Sequence, residues 1–311
     1  MKPRRSSDAR DLFRGVCDEP LGGGLTKATH AAGLTIGMFL AVMLPGCASA
    51  ESDSHAGDEA EIVGGRKVAS TEAYAKMTVA IVDEDPEVGQ FCTGIVVDRD
   101  LVVSAAHCFD DDRRIPYVRV GASRIRVQSI AVHGRYSVSR RTRYDATIES
   151  VTSAEEIVPP RTPLNDIALV WLESPLPTTM VPVTFASADA ALEGERVVSA
   201  GFGCTSTACT RTSDDLRKVT MHIVKTDSPS NLLVLKSGGR RGTCFGDSGG
   251  PDFIDTPDGV EVLAMVSTGP ESCELGISVD TLMAPYVAWV GKTAKAMREG
   301  RTSSTFTQYD Y

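Results

Sequence analysis

The chain has 311 residues, of which 42% are hydrophobic and 23% are charged, and its formal net charge at pH 7 is −9. The apolar fraction is sufficient for a buried core, and the negative charge argues against a protein that binds nucleic acid through a basic surface. The basic cluster at residues 135–143 is followed by acidic residues at 149–156, so it produces no sustained positive field.

Residues 1–50 are predicted to be a leader with an export signal. Its apolar core at 31–44 follows basic residues and is too short to span a bilayer. Two processing sites compete after this core. The sequence ASA at 48–50 is typical of a signal-peptidase site, whereas LPGC at 44–47 is similar to a bacterial lipoprotein box. We expect a secreted or periplasmic protein, membrane-anchored as a precursor if Cys47 carries a lipid.

Three further segments follow the leader. Residues 51–61 form an acidic propeptide, and they precede the motif IVGG at 62–65. Residues 62–298 form the main domain. Residues 299–311 are polar and rich in Ser and Thr, and we predict a disordered tail there.

The main domain is predicted to be all-β, because short apolar segments alternate with turn residues. The predicted strands are residues 77–82, 94–97, 101–104, 117–120, 124–132, 167–172, 196–200, 219–224, 232–235 and 260–267. No regular alternation of strands with long helices is present, which argues against a parallel α/β hydrolase. Leu282, Tyr286, Trp289 and Val290 recur at helical spacing and predict one C-terminal helix.

The segment GDSGGP at 246–251 places Ser248 where a hydroxyl can act as a nucleophile in acyl transfer. The surrounding glycines allow a sharp turn, so the N–H groups of Gly246 and Ser248 can form an oxyanion hole. The G-x-S-x-G elbow of α/β hydrolases is absent from this segment.

A base and a carboxylate that could serve this nucleophile lie at strand ends. His107 follows the apolar run 101–103, and Asp166 begins the apolar run 167–172. An isolated His or Asp is usually structural or solvated. Here the chain order His107, Asp166, Ser248, together with the IVGG motif, resembles the trypsin/chymotrypsin family of serine proteases, as an exported member of the bacterial type.

The resemblance covers residues 62–297 and implies a fold and an activity. The fold is two antiparallel Greek-key six-stranded β-barrels with a C-terminal helix, and the active site lies in the cleft between them. The activity is that of a serine endopeptidase. In such an enzyme His107 takes the proton from Ser248 and later protonates the leaving amine, while Asp166 holds the imidazole in the required tautomer.

Cysteine usage is typical of an oxidising compartment. Of the eight cysteines, Cys17 and Cys47 lie in the leader and six lie in the domain. The resemblance pairs Cys92 with Cys108 and Cys244 with Cys273, which leaves Cys204 and Cys209 to close a short loop. Zinc spacing is absent around these residues, and we expect no metal site.

The resemblance also implies a zymogen. Cleavage before Ile62 would create an α-ammonium that inserts beside Asp247, because a buried carboxylate needs a cation. The family usually has Arg or Lys before the cleaved bond, whereas this chain has Glu61. We therefore expect a separate activating protease that cuts after acidic residues, or an atypical signal cleavage.

Substrate binding is predicted from the residues that match the family's specificity pocket. Gly242 and Thr243 would form its base, and Ser267, Thr268 and Gly269 its wall and the strand that pairs with substrate. The base has no Asp, so we expect small or medium apolar P1 residues. Two alternatives remain open: Glu274 could reach the pocket, or Arg240 or Arg241 could line it and select an acidic P1 residue.

The expected partners are polypeptide substrates. We expect the protein to be a monomer and to need no cofactor, and no calcium site is implied. The long segment 136–163 is predicted to overhang the cleft and restrict access to Ser248. A second function class stays open, a catalytically silent protease homologue that acts as a binding protein, because fold alone cannot separate the two.

Overall fold

A computed structural model of the protein describes residues 62–110, 116–140, 161–206, 208–209, 211–270, 272–300 and 306–309. The leader, Cys47 and the acidic segment 51–61 lie outside these ranges. The export signal, the lipid anchor and the propeptide therefore stay predictions.

Strands dominate the described part of the chain. Its first strands are β1 (Arg66–Lys67), β2 (Thr78–Val82), β3 (Gln90–Asp98), β4 (Leu101–Ser104), β5 (Tyr117–Val120), β6 (Ser123–His133), β7 (Ser137–Arg140), β8 (Arg161–Leu164) and β9 (Ala168–Leu172). They are followed by β10 (Arg196–Gly201), β11 (Arg217–Asp227), β12 (Leu232–Lys236), β13 (Pro251–Thr256), β14 (Gly259–Thr268), β15 (Ile277–Leu282) and β16 (Phe306–Tyr309). The helices are α1 (Ala73–Met77) and α2 (Val287–Arg298).

Two closed six-stranded antiparallel barrels share one pairing scheme. In the first barrel the strand order is β6-β5-β2-β3-β4-β9, and β9 pairs back to β6. In the second the order is β11-β10-β13-β14-β15-β12, and β12 pairs back to β11. In each barrel the fourth strand returns beside the first, which is a Greek key. The predicted fold class is thus confirmed.

Three apolar clusters hold these barrels together. One fills the first barrel around residues such as Ile81 and Val170, and another fills the second barrel around Met221 and Leu235. The third contains residues of both barrels and of α2, with Phe253 among them. Val and Ile favour strands because their branched side chains pack well on a pleated, buried surface, so the residue types explain why these segments form strands.

Helix α2 begins later than the apolar spacing predicted. Trp289 and Val290 are buried on it, but Leu282 ends β15 and Tyr286 lies in a 3-10 turn. An apolar side chain at helical spacing can also belong to the strand before a helix, because both elements bury it in the same core. No helix in the described ranges has the length and apolar character that a membrane crossing requires.

Two predicted irregular segments contain additional strands. The ends of segment 136–163 pair as the hairpin β7–β8, whereas residues 141–160 lie outside the described ranges. Within the predicted tail, β16 pairs in parallel with β6. Phe, Thr and Tyr in this segment favour strands. Their pairing with β6 overrides the disorder that the polar composition of the tail predicted.

The structure contains three disulfides, Cys92–Cys108, Cys204–Cys209 and Cys244–Cys273. The first and third are the pairs that the family resemblance implied, and the second is the pair that those two left over. Disulfides of this kind are typical of proteins outside the reducing cytosol.

The interface between α2 and the barrels predicts the cost of one truncation. Met297 is fully buried in the cluster that joins the barrels to α2. We expect Met297→Ala to lower the free energy of unfolding by about 2–5 kcal/mol, because it leaves a cavity. Val287, on the same helix, is 46% exposed, and Val287→Ala should cost about 0.5 kcal/mol or less. Equal losses in denaturant unfolding would contradict this packing.

Candidate active site

The first barrel positions the imidazole and the carboxylate. His107 lies in the 3-10 turn Ala106–Phe109, directly after β4. Asp166 lies just before β9, which pairs with β4. Since β4 ends where β9 begins in an antiparallel pair, the two residues meet at one end of the barrel.

Asp166 holds His107 in a defined orientation. Asp166 is fully buried. It accepts hydrogen bonds from the His107 backbone N–H at 2.9 Å and from Nδ1 at 2.7 Å. Ser267 Oγ donates to the same carboxylate at 2.6 Å. Because the proton of a neutral imidazole is then on Nδ1, Nε2 is left as a base.

The charges of this pair shift both pKa values. Burial lowers the pKa of His107, but the negative charge of Asp166 and the hydrogen bond that His107 donates to it outweigh burial and raise that pKa overall. Burial raises the pKa of Asp166, but the charge and hydrogen bonds of His107 and the Ser267 hydroxyl outweigh burial and lower it overall. Asp166 thus stays ionised, which favours proton uptake by the imidazole.

Ser248 comes from the second barrel and faces the same cavity as His107. The two residues line a cavity of about 290 Å³. Ser248 Oγ lies 3.5 Å from the carbonyl oxygen of Ser267. The backbone carbonyl of Ser248 accepts from Thr93 N–H of the first barrel at 2.8 Å. The structure therefore places Ser248 and His107 on the wall of one cavity, with Asp166 behind His107. In the described part of the chain, the Ser248 hydroxyl donates to Ser267 and not to His107.

Two backbone N–H groups beside Ser248 are free to bind an anion. The carbonyl of Phe245 accepts from Cys204 N–H, and the carbonyl of Asp247 accepts from Gly250 N–H. In a trans peptide the N–H points away from the carbonyl, so the N–H groups of Gly246 and Ser248 point the opposite way. Neither donates to another backbone carbonyl in the described part of the chain. Unpaired backbone donors of this kind are what an oxyanion hole requires, so these two remain the candidate oxyanion donors.

The turn at Gly246 is fixed from the first barrel. Gly246 has φ +93°, which favours glycine. Its carbonyl accepts from Gln90 Nε2 and Thr93 Oγ1, both at 2.9 Å. Sequence reasoning missed Gln90 and Thr93, because a polar residue on a strand gives no signal of a partner in the other barrel.

Asp247 is fully enclosed beneath this turn. Its carboxylate accepts from Gly203 N–H and Cys244 N–H, both at 2.8 Å. A Cβ on Gly201 or Gly203 would come within 2.2 or 2.5 Å of the Asp247 side chain, so both positions need glycine. Burial raises the pKa of Asp247 to about 7 despite the two donors. No cation in the described ranges bonds to this carboxyl.

The predicted activation segment is buried next to these neighbours. Ile62 is inaccessible to solvent, and Val63 packs with Cys204 and Cys244. Ile62 has φ +41°, in the left-handed region that a β-branched residue rarely adopts. A backbone torsion of this kind costs about 1–3 kcal/mol. Since φ is defined by the peptide bond before Ile62, cleavage of that bond would release the strain.

The cavity contains most of the predicted pocket residues. Thr243, Ser267, Thr268 and Gly269 line it, whereas Gly242 does not. The N–H of Gly242 instead donates to Val63, and a Cβ there would lie 2.9 Å from Gly276 Cα. Backbone of the neighbouring loop occupies the position that sequence matching gave to the pocket base.

Four apolar lining residues were missed from the sequence. They are Phe245, Val266, Pro270 and Ile277. Phe245 is 58% exposed at the cavity mouth. An exposed aromatic residue between Cys244 and a glycine-rich turn was a signal that could have been used.

The charged alternatives for this pocket lie outside its wall. Arg240 forms an ion pair with Glu274, and Arg241 lines a different cavity, beside Gly64. Apart from His107, the described residues of the cavity wall carry no charge. Cys92 and Cys108 lie beside His107, but their sulfurs are bonded to each other and cannot act as thiolate ligands.

Comparisons with known proteins agree with this arrangement. The family model Trypsin matches residues 62–290. Kallikrein 1-related peptidase b16 of Mus musculus is 26% identical over 82% of this chain and 96% of its own length. Chymotrypsin of Phaedon cochleariae is 27% identical over 74% of this chain and 81% of its own length.

Among solved structures, human heparin binding protein is similar in fold. The TM-score is 0.56 at 21% identity, over 75% of this chain and 96% of the other. The matched relatives are animal proteins, so they give no support to the bacterial type predicted from the sequence.

The charge of Asp166 predicts how His107 titrates. In Asp166→Asn the pKa of His107 should fall by about 1 to 3 pH units, because burial remains and the attraction is lost. In the unchanged protein the folded pKa lies above the unfolded one. Protonated His107 therefore stabilises the fold at low pH, and this contribution is lost as the pH rises through the folded value.

NMR titration of the imidazole measures this change. Asp98→Asn is the control, because Asp98 bonds to Arg298 and does not shift the pKa of His107. An unchanged His107 pKa in Asp166→Asn would rule out the electrostatic coupling.

Proposed function

Because the chain belongs to the trypsin family, we propose that it is an exported serine endopeptidase that hydrolyses polypeptides through an acyl-enzyme on Ser248. The observation that carries the proposal is the buried Asp166 carboxylate, 2.7 Å from His107 Nδ1 beside the same cavity as Ser248. Trypsin-like proteases act on polypeptide substrates, and the cavity is open to one.

Each residue has a role that follows from its contacts. His107 Nε2 accepts the proton of Ser248 as Oγ attacks the scissile carbonyl, and Asp166 stabilises the imidazolium that forms. The N–H groups of Gly246 and Ser248 bind the oxyanion. His107 then protonates the leaving amine, and water hydrolyses the acyl-enzyme by the same steps.

We propose that cleavage before Ile62 activates the protein. Before cleavage, Asp247 is buried with no cation from the described residues beside it, and Ile62 has a strained torsion. A new α-ammonium at Ile62 would supply the cation and release the torsion together. An ionised Asp247 would then hold the oxyanion turn through Gly203 and Cys244.

The residue before the cleaved bond differs from the Arg or Lys that the family usually has there. With Glu61 there, the activator would be a protease that cuts after acidic residues. The uncharged cavity wall does not favour self-cleavage at that site. If Cys47 carries a lipid, the same cleavage releases a monomeric catalytic domain from the membrane.

Labelling with a serine-directed phosphonate tests both parts of this proposal. A fusion removed directly before Ile62 gives the cleaved chain, and the chain with Glu61 in place gives the intact one. We expect the phosphonate to add to Ser248 at least about a hundredfold faster in the cleaved chain, because loss of an oxyanion donor alone costs that much.

Matched variants decide between the alternatives. Ser248→Ala removes labelling whatever the activation state, and Asp247→Asn should abolish the gain on cleavage. Failure of the correctly cleaved, folded chain to label would refute the protease function and favour a silent binding homologue. Equal labelling of intact and cleaved chains would refute the activation step alone.

The cavity predicts the P1 preference. Apolar P1 residues of small or medium size should be cleaved fastest, because Ile277 and Val266 line an uncharged pocket. Ile277→Ala should raise the kcat/KM ratio of Phe over Val at P1 about tenfold, since it removes side-chain volume from the wall. Leu275→Ala is the control. A preference for Arg, Lys or Glu at P1 would contradict the pocket described.

A further inference from the structure

A second pair of buried carboxyl groups lies behind the candidate active site. Asp252 on β13 and Asp280 on β15 are both inaccessible to solvent. Strand β14 lies between them and pairs with both strands. Neither residue takes part in the proposed peptide hydrolysis.

The hydrogen bonds of this pair require a proton. Ser199 Oγ donates to Asp252 Oδ1 at 2.5 Å. Asp280 Oδ1 accepts from Ser278 Oγ at 2.6 Å and from Ser267 N–H at 3.2 Å. In the described part of the chain, Oδ2 of each buried carboxyl has no donor, and a side-chain hydrogen bond between the two carboxyls contributes to the pKa shift of each. Ionised carboxylates only accept, so one proton between them supplies the missing donor.

The charges around the pair favour retention of that proton. Burial raises the pKa of Asp252 and of Asp280, and repulsion by Asp252 raises the latter further. A further acidic group, Asp247 below the oxyanion turn, interacts electrostatically with Asp252. Asp166 lies beyond Ser267. All of these charges are negative, and no cation in the described ranges bonds to either carboxyl.

Ser267 connects the pair to the catalytic carboxylate. Its backbone N–H donates to Asp280, and its hydroxyl donates to Asp166 at 2.6 Å. Ser278, the other donor to Asp280, accepts from Thr243 Oγ1 on the cavity wall at 3.1 Å. Asp280 therefore holds Ser267 directly and Thr243 through Ser278.

We propose that Asp252 and Asp280 share one proton and that this pair positions Ser267, and through Ser267 the Asp166–His107 pair. The role in activity rests on the proposed protease function. Removal of the shared proton places two negative charges face to face in a buried site, so Asp280 is repelled and Ser267 loses its anchor. Activity falls at the pH where the pair ionises.

Asp252→Asn tests this role, because an amide donates the hydrogen bond and cannot ionise. In the cleaved protein, the pH at which kcat/KM falls on the alkaline side should be higher in Asp252→Asn by about one pH unit or more. At a pH above that fall, kcat/KM of the variant should then exceed that of the unchanged protein about tenfold. Asp255→Asn is the control, since Asp255 is an exposed residue of the same strand, paired with Arg196. Deprotonation of the Ile62 α-ammonium affects all variants equally, so the difference isolates the pair.

A readout without catalysis separates this inference from the protease function. In Ser248→Ala protein, the ¹³Cγ signals of Asp252 and Asp280 should titrate above the usual range, and the Asp166 signal should shift with them. Added Asp252→Asn should remove the Asp166 shift, and Asp280→Asn is the second variant if the first does not fold. Unchanged alkaline limbs, or an Asp166 signal insensitive to the pair, would overturn the inference. Absence of phosphonate labelling would refute the protease function alone.

Discussion

The buried carboxylate of Asp247 is the constraint on which the site depends. Glycines at 201 and 203 leave just enough room for it, and two backbone N–H groups point at its oxygens. Two donors do not replace a cation beside a fully buried carboxyl, and the pKa of Asp247 remains raised, to about 7. The turn that presents Gly246 and Ser248 is thus built around a carboxyl that no cation among the described residues pairs with.

The cleft is a joint product of the two barrels. The first supplies His107 and Asp166, and its β3 residues Gln90 and Thr93 fix the carbonyl of Gly246 in the second. The second supplies Ser248 and returns Ser267 Oγ to Asp166. Because each half of the site is held by the other barrel, small movements between the barrels would disturb the nucleophile, the base and the oxyanion donors together.

Sequence patterns predicted those strands whose residue types match the buried positions that they occupy. All ten predicted strands are present within a few residues, because continuous runs of Val, Ile and Leu suit barrel strands. Strands β13 and β15 were missed because Asp252 and Asp280 interrupt their apolar pattern, and a sequence does not show that two acidic residues face each other across β14. Motif matching placed Thr243 and Gly269 in the pocket correctly. Whether Gly242 and Ile277 line the pocket depends on the path of a loop, and no local sequence pattern predicts that path.

Titration of Asp247 itself shows whether the α-ammonium of Ile62 pairs with this carboxyl after cleavage. Selective ¹³Cγ NMR on Ser248→Ala protein compares the intact chain with the chain that starts at Ile62. We expect a pKa of about 7 for Asp247 in the intact chain and a value below the usual range for Asp once the α-ammonium is present. The same pKa in both chains would contradict this pairing.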